Sequence, residues 1–174
     1  MRAGGVVLRR LAFGVGGVLF VAFWTYALFF ASKEAVNKIG DREWAARAET
    51  ICAAANESRE TLADFRRVDP EDVSMLRERA AIVDQATDII EQMLDDVVAV
   101  EPEDDKGVAI VPDWETDYRT FIQNRRDFAD ELRAGDNVAF RESAIEGVPI
   151  SERIGTFAAD NEMRSCEPAR DLGL

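Results

Sequence analysis

An uncharged apolar run near the N-terminus constrains this chain more than any other feature. Residues 11–31 read LAFGVGGVLFVAFWTYALFFA, twenty-one residues without a charged side chain, between the pair Arg9-Arg10 and Lys33. As an α-helix this run would be about 32 Å long, which matches the roughly 30 Å hydrocarbon core of a bilayer. We therefore predict a transmembrane helix over residues 11–31, with the lipid bilayer as its partner.

A cleaved signal peptide is the alternative interpretation, because it also combines a basic start with an apolar run. The run is longer than the roughly 7–15 apolar residues of a signal peptide. Cleavage after Ala31 would place Phe29 where a small residue is required, and no cysteine follows the run for a lipoprotein-type attachment. These features favour an uncleaved anchor, although the sequence leaves cleavage open.

The acidic charge of the chain is concentrated after the apolar run. Of the 21 basic and 34 acidic side chains, five basic and one acidic precede residue 39, which leaves 16 basic and 33 acidic in residues 39–174. The Arg9-Arg10 pair and the free amino terminus favour an N-terminus inside the cell. We accordingly divide the chain into a short cytoplasmic N-terminus (1–10), the transmembrane helix, a juxtamembrane linker (32–40) and an extracytoplasmic domain (41–174).

The composition excludes several classes of site. The chain has no histidine and two cysteines, so it lacks the residues for a Ser-His-Asp unit, a histidine zinc site or a Glu-x-x-His di-iron site. Two cysteines alone cannot hold a structural zinc ion or an iron–sulfur cluster. An acidic chain repels phosphate backbones, which argues against nucleic-acid binding. We predict no cofactor, no metal site and no catalytic residue.

The extracytoplasmic part contains four amphipathic segments with apolar residues at helical spacing. Aspartates at positions 41, 69, 113 and 136 are suitable N-caps, and Pro70, Pro102 and the Gly135 junction separate the segments. We predict helices over 41–66, 70–100 and 113–133, and a fourth from 136 to about 166 that breaks at 147–149. The fold class is therefore all-α: a transmembrane helix followed by an antiparallel up-down-up-down four-helix bundle.

Residues 101–112 are predicted to form the one long loop, with the apolar residues 108–111 lying across the bundle. The acidic cluster at 101–105 suggests a calcium site, because Ca²⁺ binds several oxygen ligands in flexible loops. The EF-hand spacing is absent, so we favour a solvated charged turn. The sequence leaves cation binding open.

Three polar residues fall on otherwise apolar helix faces. Arg125 interrupts the stripe of the third helix, where it either pairs with a buried acid or, as we expect, extends its charged end to solvent. Asn56 and Asn161 are expected to be hydrogen-bonded within the core. Trp44 and Trp114 lie at helix starts on the side predicted to face the membrane, and core packing is the favoured interpretation of both.

The two cysteines fit the predicted topology. Cys52 lies in the first bundle helix and Cys166 at the end of the fourth, and these two helices are antiparallel neighbours in an up-down-up-down bundle. The fold would therefore bring the two cysteines together. A disulfide persists only outside the reducing cytosol, which agrees with an N-inside anchor. Two buried free thiols are the alternative.

Several segments resemble a group of uncharacterised exported or membrane-anchored all-helical proteins of high-GC bacteria. They are WAARAETIC at 44–52, AGDNVAFRESA at 134–144, FAADNEMRSC at 157–166 and the terminal Leu-Gly-Leu. Proteins of this group have one early and one late cysteine around a helical body. The resemblance, which covers most of residues 41–174, implies an envelope location and a disulfide, and it implies no activity.

Three classes of function remain. We predict a single-pass, membrane-anchored, non-enzymatic interaction or structural component of the cell envelope, which binds another envelope protein or a second copy of itself. The acidic surface favours a basic partner. The alternative is a ligand-binding sensor or carrier with a small apolar molecule in the bundle core, lined by Trp44, Phe121, Phe128 and Phe157. An enzyme is disfavoured, because nearly all carboxylates fall on polar helix faces.

Overall fold

The computed structural model describes residues 3–29, 35–62, 69 and 72–172, with side chains from residue 14 onward. These residues are mainly helical, as predicted, and form five α-helices, one 3₁₀ turn and one short hairpin. The chain divides into two compact units, Met1–Ala35 and Val36–Leu174. We call the second unit the head domain.

Helix α1 (Ala3–Phe29) makes up most of the first unit. Its large apolar side chains are exposed along the described part, including Val18, Leu19 and Phe20. Residues 30 and 31 of the predicted transmembrane run lie outside the described residues. Within the part of the chain that is described, no helix combines the length and apolarity that crossing a bilayer requires.

Helix α2 (Arg42–Glu60) begins where Asp41 accepts a hydrogen bond from the Trp44 backbone N–H at 2.8 Å. Its buried residues include Trp44, Ala48 and Cys52. The predicted extension of this helix through 63–66 lies outside the described residues.

Helix α3 (Val73–Val98) begins three residues later than predicted. Asp72 is its N-cap and accepts hydrogen bonds from the backbone N–H groups of Ser74 and Met75. The prediction that Asp69 is the cap is therefore wrong, because the carboxylate nearest the helical N–H groups satisfies them. The buried face of α3 runs along the whole helix: Leu76, Ala80, Val83, Ala86, Thr87, Ile90, Met93, Leu94 and Val97.

Helix α4 (Asp105–Ala134) corrects the prediction of a long loop over 101–112. Pro112 lies within this helix, although proline lacks a backbone N–H and disfavours a helix interior. The apolar stripe continues upstream of Trp114 through Val111 and Gly107, and all three are buried. Asp104 caps the helix at Gly107 N–H. The apolar burial along this stripe and the Asp104 cap stabilise the helix by more than the missing hydrogen bond of Pro112 destabilises it.

The predicted fourth helix is also wrong in its extent. Residues 136–143 are not helical, and strands β1 (Ala144–Ile145) and β2 (Val148–Pro149) form an antiparallel hairpin. Only Ile150–Asp160 forms the short helix α5, and a separate 3₁₀ turn, η1 (Arg164–Cys166), carries the second cysteine. Glu146 and Gly147 both adopt positive φ, which suits a tight hairpin turn rather than a helix.

The helices of the head domain pack in chain order. α3 contacts both α2 and α4, α5 contacts α4, and η1 returns to α2. Neighbours run in opposite directions. The first turns of α2 contact the end of α3 through Arg47 and the Val97 carbonyl. Along α4, Arg119 and Arg126 pair with Asp95 and Asp88 of α3, and Asp117 and Trp114 contact Arg153 and Phe157 of α5. Because α5 is short, η1 rather than a fourth long helix covers α2.

Candidate binding cleft

Residues 136–143, which lead from α4 to the hairpin, have no helix or strand and are held in place by side-chain hydrogen bonds. Helix α4 ends at Ala134, and its C-cap residue Gly135 has a left-handed φ of 99°. Asn124 on α4 then binds Ser143 twice: its Oδ1 accepts from the Ser143 N–H at 2.6 Å and its Nδ2 donates to Ser143 Oγ at 3.1 Å. These contacts fix the chain just before the hairpin and thereby set where α5 begins.

Glu142 supplies the cap that α5 lacks locally. The N-cap position is occupied by Pro149, which has no side chain able to accept a hydrogen bond. Glu142 Oε2 accepts from the Ser151 N–H and its Oε1 accepts from Ser151 Oγ, both at 2.8 Å. Both carboxylate oxygens are thus engaged at the positive end of the helix, which they stabilise.

Residues 167–172, which we call the tail, follow Cys166, and Cys166 is covalently attached to α2. Cys52 and Cys166 form the predicted disulfide, which joins residues 114 apart in sequence. Both cysteines are fully buried. Tyr118 of α4 donates its hydroxyl hydrogen to the Cys166 carbonyl at 3.1 Å, and burial raises the pKa of this phenol far above its usual value. Asn56 donates to the neighbouring Ser165 carbonyl at 2.8 Å, which confirms its hydrogen bond, although Asn56 is half-buried rather than in the core.

Arg125 attaches the end of the tail to the core. Its guanidinium is completely buried and binds both oxygens of Asp171, at 2.6 and 3.1 Å, while its Nε donates to Thr87 Oγ1 at 3.0 Å. Arg59 adds a second ion pair to Asp171 at 3.0 Å. The expectation that Arg125 extends to solvent is wrong, because the partly buried carboxylate of Asp171 in the tail pairs with its buried guanidinium.

Asp171 remains ionised despite its partial burial. Burial raises the pKa of its carboxyl, but the hydrogen bonds and positive charge of Arg125, together with the charge of Arg59, lower it further than burial raises it. The net pKa therefore lies below the usual value. The ion pair is kept, and with it the position of residues 167–172.

A cleft of about 550 Å³ lies between α5 and this tail. We call it the α5 cleft. Its apolar lining includes Phe121, Phe140, Pro168 and Leu172. Its polar side chains include Ser151, Thr156, three glutamates and one base, and the full lining is Phe121, Phe140, Glu142, Ser151, Glu152, Gly155, Thr156, Ala159, Glu167, Pro168, Ala169, Arg170 and Leu172.

The acidic side chains of the α5 cleft differ in whether other side chains or N–H groups of the chain bind them. The Glu142 carboxylate is engaged at the start of α5. The Glu152 and Glu167 carboxylates form no ion pair with any other described residue. The cleft therefore presents two carboxylates that have no ion-pair partner among the described residues, together with Arg170, beside an apolar wall.

A smaller groove of about 270 Å³ lies between α4 and α5 and includes Trp114, Asp117, Arg153 and Phe157. Arg153 Nε donates to Asp117 Oδ2 at 2.9 Å, which compensates this mostly buried carboxylate. Among the described residues, Trp114 Nε1 is the one buried side-chain nitrogen or oxygen without a hydrogen-bond partner. Its ring stacks on Phe157 at 5.4 Å between centroids.

The acidic segment 101–105 joins two helix starts. Asp104 Oδ1 accepts from the N–H groups of Gly40 and Gly107, and its Oδ2 accepts from the Asp41 N–H. Asp41 in turn accepts from the Glu103 N–H at 2.9 Å. Burial raises the pKa of Asp104, but these N–H groups lower it to a net value below the usual one. Within the described ranges, no group of three or more potential ligands could hold a metal ion.

The four aromatic residues expected to line a core cavity are packed instead. Trp44, Phe121, Phe128 and Phe157 are each at most 5% exposed. Trp44 donates to the Val100 carbonyl at 2.8 Å, and Phe128 contacts the Phe140 ring edge-on. Neither of the two clefts is lined by all four of them. Core packing of Trp44 and Trp114 is thus confirmed.

No protein-family model, no curated protein and no solved structure matches this chain. The resemblance to exported helical proteins of high-GC bacteria therefore stays a prediction. Family knowledge supplies no functional residue, and the candidate site depends on the geometry of the head domain alone.

Sequence reasoning did not single out the α5 cleft. Glu142 and Glu152 lie within the predicted fourth helix of residues 136–166, and the sequence predicts no element for residues 167–172. One feature of the sequence is relevant to the partner of Arg125. Asp171 lies five residues after Cys166, which is close enough to reach the helix that carries Arg125. The sequence does not indicate which of its many acids that arginine would choose.

Proposed function

We propose that this protein is a single-pass, membrane-anchored component of the cell envelope whose head domain binds a basic partner protein outside the cytoplasm. We propose residues 11–31 as the membrane-spanning helix and the helices after residue 41 as an antiparallel bundle on the outer side. The role is non-enzymatic. The observation that carries the binding role is the α5 cleft, which combines an apolar wall with carboxylates that form no ion pair among the described residues, in a strongly acidic domain.

The anchor is supported by the sequence and by the exposed side chains of α1. A helix that is apolar on every side is stable when lipid or protein surrounds it. The described part of α1 exposes the four consecutive residues Val18, Leu19, Phe20 and Val21, which lie on different sides of the helix because successive residues are about 100° apart. The buried disulfide adds support for an extracytoplasmic head domain, because such bonds are rare in the cytosol.

A partner is better supported than an apolar ligand in the bundle core. The core aromatic residues pack against each other, with Trp114 between Trp44, Tyr118 and Phe157. The described clefts lie along α5 and are partly polar. Such surfaces suit a polar, charged partner more than a small apolar molecule.

Membrane fractionation tests the anchor. We expect the full chain to remain with membranes after extraction at alkaline pH, and the variant Leu19→Lys/Val21→Lys to be released, because charged residues in the span oppose insertion. The variant Leu19→Ala/Val21→Ala is the matched control and should stay with membranes. Release of the unaltered chain would contradict the anchor.

In-cell crosslinking at native abundance tests the partner. We expect one predominant extracytoplasmic protein to be captured through a photo-reactive residue placed at Thr156, which lines the α5 cleft. The same residue placed at Glu57 on the exposed face of α2 should not capture it. Capture of nothing beyond this chain, or equal capture from both positions, would contradict the proposal.

A further inference from the structure

We propose that the α5 cleft recognises an arginine or lysine side chain on an extended segment of the partner. This inference rests on the proposed binding function and names the chemical group that the cleft accepts. The chemistry of the cleft has two parts, an apolar wall and an acidic edge, and a long basic side chain has the same two parts.

The apolar wall fits the stem of such a side chain. Phe121 and Phe140 meet edge to face, with 6.0 Å between ring centroids. Pro168 and Leu172 of the tail contribute further apolar surface. Lysine and arginine bury their methylene stems along surfaces of this kind while the charged group stays at the polar edge, and an aromatic ring attracts a nearby cation.

The acidic edge fits the charged group. Glu152 stands on α5 and Glu167 on the tail, and both line the same cleft. Neither carboxylate is neutralised by an ion pair among the described residues. Arg170 is the one basic side chain in the lining, so the cleft stays net negative. The planar guanidinium of arginine can donate two parallel hydrogen bonds to one carboxylate, and we therefore expect arginine to bind more tightly than lysine.

The walls of the cleft are held before any partner binds. Glu142 fixes the start of α5, the disulfide fixes the start of the tail, and the Arg125–Asp171 pair fixes its end. A preformed site loses little conformational freedom on binding. The volume of about 550 Å³ accommodates a basic side chain together with the backbone that carries it.

Binding of short capped peptides to the full chain in a neutral detergent tests this inference. The probe is an acetylated and amidated Ala-Ala-Arg-Ala-Ala peptide, compared with peptides carrying lysine or the uncharged analogue citrulline in place of arginine. We expect arginine to bind more tightly than lysine, and citrulline to bind at least tenfold more weakly than arginine. Equal binding of the arginine and citrulline peptides, or no binding of the arginine peptide, would overturn the proposal.

Charge-matched variants locate the site. We expect Glu152→Gln/Glu167→Gln to weaken binding of the arginine peptide at least tenfold. The control Glu57→Gln/Glu60→Gln removes the same charge from the exposed face of α2 and should change affinity less than twofold. Equal losses from both pairs would mean unspecific attraction to an acidic surface and would overturn the inference.

A steric variant tests the cleft without changing charge. Gly155 lines it, and a β-carbon added there would lie 3.8 Å from Pro168 Cδ, an ordinary contact. Gly155→Leu should fill the cleft and weaken peptide binding, whereas Gly155→Ala should weaken it much less. A cooperative thermal unfolding transition at or above the temperature of the unaltered chain would show that each variant is folded. Undiminished binding by Gly155→Leu would contradict the cleft as the site.

These outcomes are separable from those of the proposed function. A chain that stays in membranes and captures a partner, but binds the arginine peptide independently of Glu152, Glu167 and Gly155, would refute this inference alone. A chain that leaves the membrane fraction, yet binds the peptide through the cleft, would refute the membrane role alone.

Discussion

At the scale of single residues, two helical glycines of the head domain have opposite surroundings. A β-carbon at Gly107 would lie 2.6 Å from both Asp104 Oδ2 and Pro102 Cβ, where Asp104 joins the starts of α2 and α4. A β-carbon at Gly155 would meet only Pro168, at an ordinary distance. Glycine at position 107 is therefore required by packing, whereas glycine at position 155 leaves space in the α5 cleft.

We predict opposite effects of alanine at these two positions. Gly155→Ala should raise the free energy of unfolding by about 0.5–1 kcal/mol, because alanine favours a helix over glycine. Gly107→Ala should lower the free energy of unfolding by about 1–3 kcal/mol, because the added methyl group would push Asp104 away from its N-cap position on α4. Urea unfolding measures both. Changes of the same sign would contradict the different surroundings of these glycines.

Asp171 is the residue whose charge the core requires. We predict that Asp171→Asn lowers the free energy of unfolding by about 3 kcal/mol, because the buried Arg125 loses its charged partner. Glu162→Gln is the control, since it removes an exposed carboxylate that pairs with Arg42 at the surface. It should change stability by less than about 1 kcal/mol. Equal effects of the two variants would contradict the role of Asp171.

The lowered pKa values predict an acid-sensitive fold. The carboxyls of Asp171 and Asp104 have folded pKa values below their unfolded ones. Their contribution to stability is complete above the unfolded pKa of about 3.9 and is lost as the pH falls through the folded pKa. Unfolding measured from pH 7 to 2.5 should show the loss below about pH 4, with a shallower fall in Asp171→Asn. An unchanged fall in that variant would contradict the prediction.

At the scale of elements, the disulfide joins the two ends of the head domain. It links the middle of α2 to η1, and η1 packs against both α2 and α5. The tail wall of the α5 cleft begins immediately after Cys166. Covalent attachment therefore positions one wall of the candidate site as well as stabilising the fold.

We predict that Cys52→Ala/Cys166→Ala lowers the free energy of unfolding by about 4 kcal/mol, because the unfolded chain gains the entropy that a loop of this length removes. Denaturant unfolding under oxidising conditions measures the difference. Reductant after denaturation should raise the mass of the unaltered chain by two hydrogens and leave the variant unchanged. Equal stability of variant and unaltered chain would contradict a stabilising disulfide.

At the scale of the whole molecule, the proposed anchor and the acidic head domain specify an orientation. We predict that a reporter active only outside the cytoplasm is active when fused after Leu174, because the basic N-terminus favours the inner side of the membrane. A reporter active only inside should be inactive at the same position. The reverse pattern would place the head domain in the cytoplasm and contradict the proposed partner site.

Local signals in the sequence predicted much of the head domain. The spacing of apolar residues predicted α2 and α3, and Asp41 was correctly identified as a cap. The cysteine pair was also predicted, although the element that carries Cys166 is η1 rather than a long helix. The errors fall where a suitable cap residue is not used as one: Asp113 lies inside α4, and no helix begins at Asp136.

The sequence by itself determined the helical class, the separation of an apolar N-terminal run from an acidic domain, and the two residues of the disulfide. These features follow from periodicity, charge and the small number of cysteines. Only the tertiary structure decided that Arg125 pairs with Asp171, that Glu142 caps α5, and that α5 and the tail enclose a cleft. Such contacts join residues distant in sequence, and with 34 acids available, only the folded backbone selects which carboxylate meets which partner.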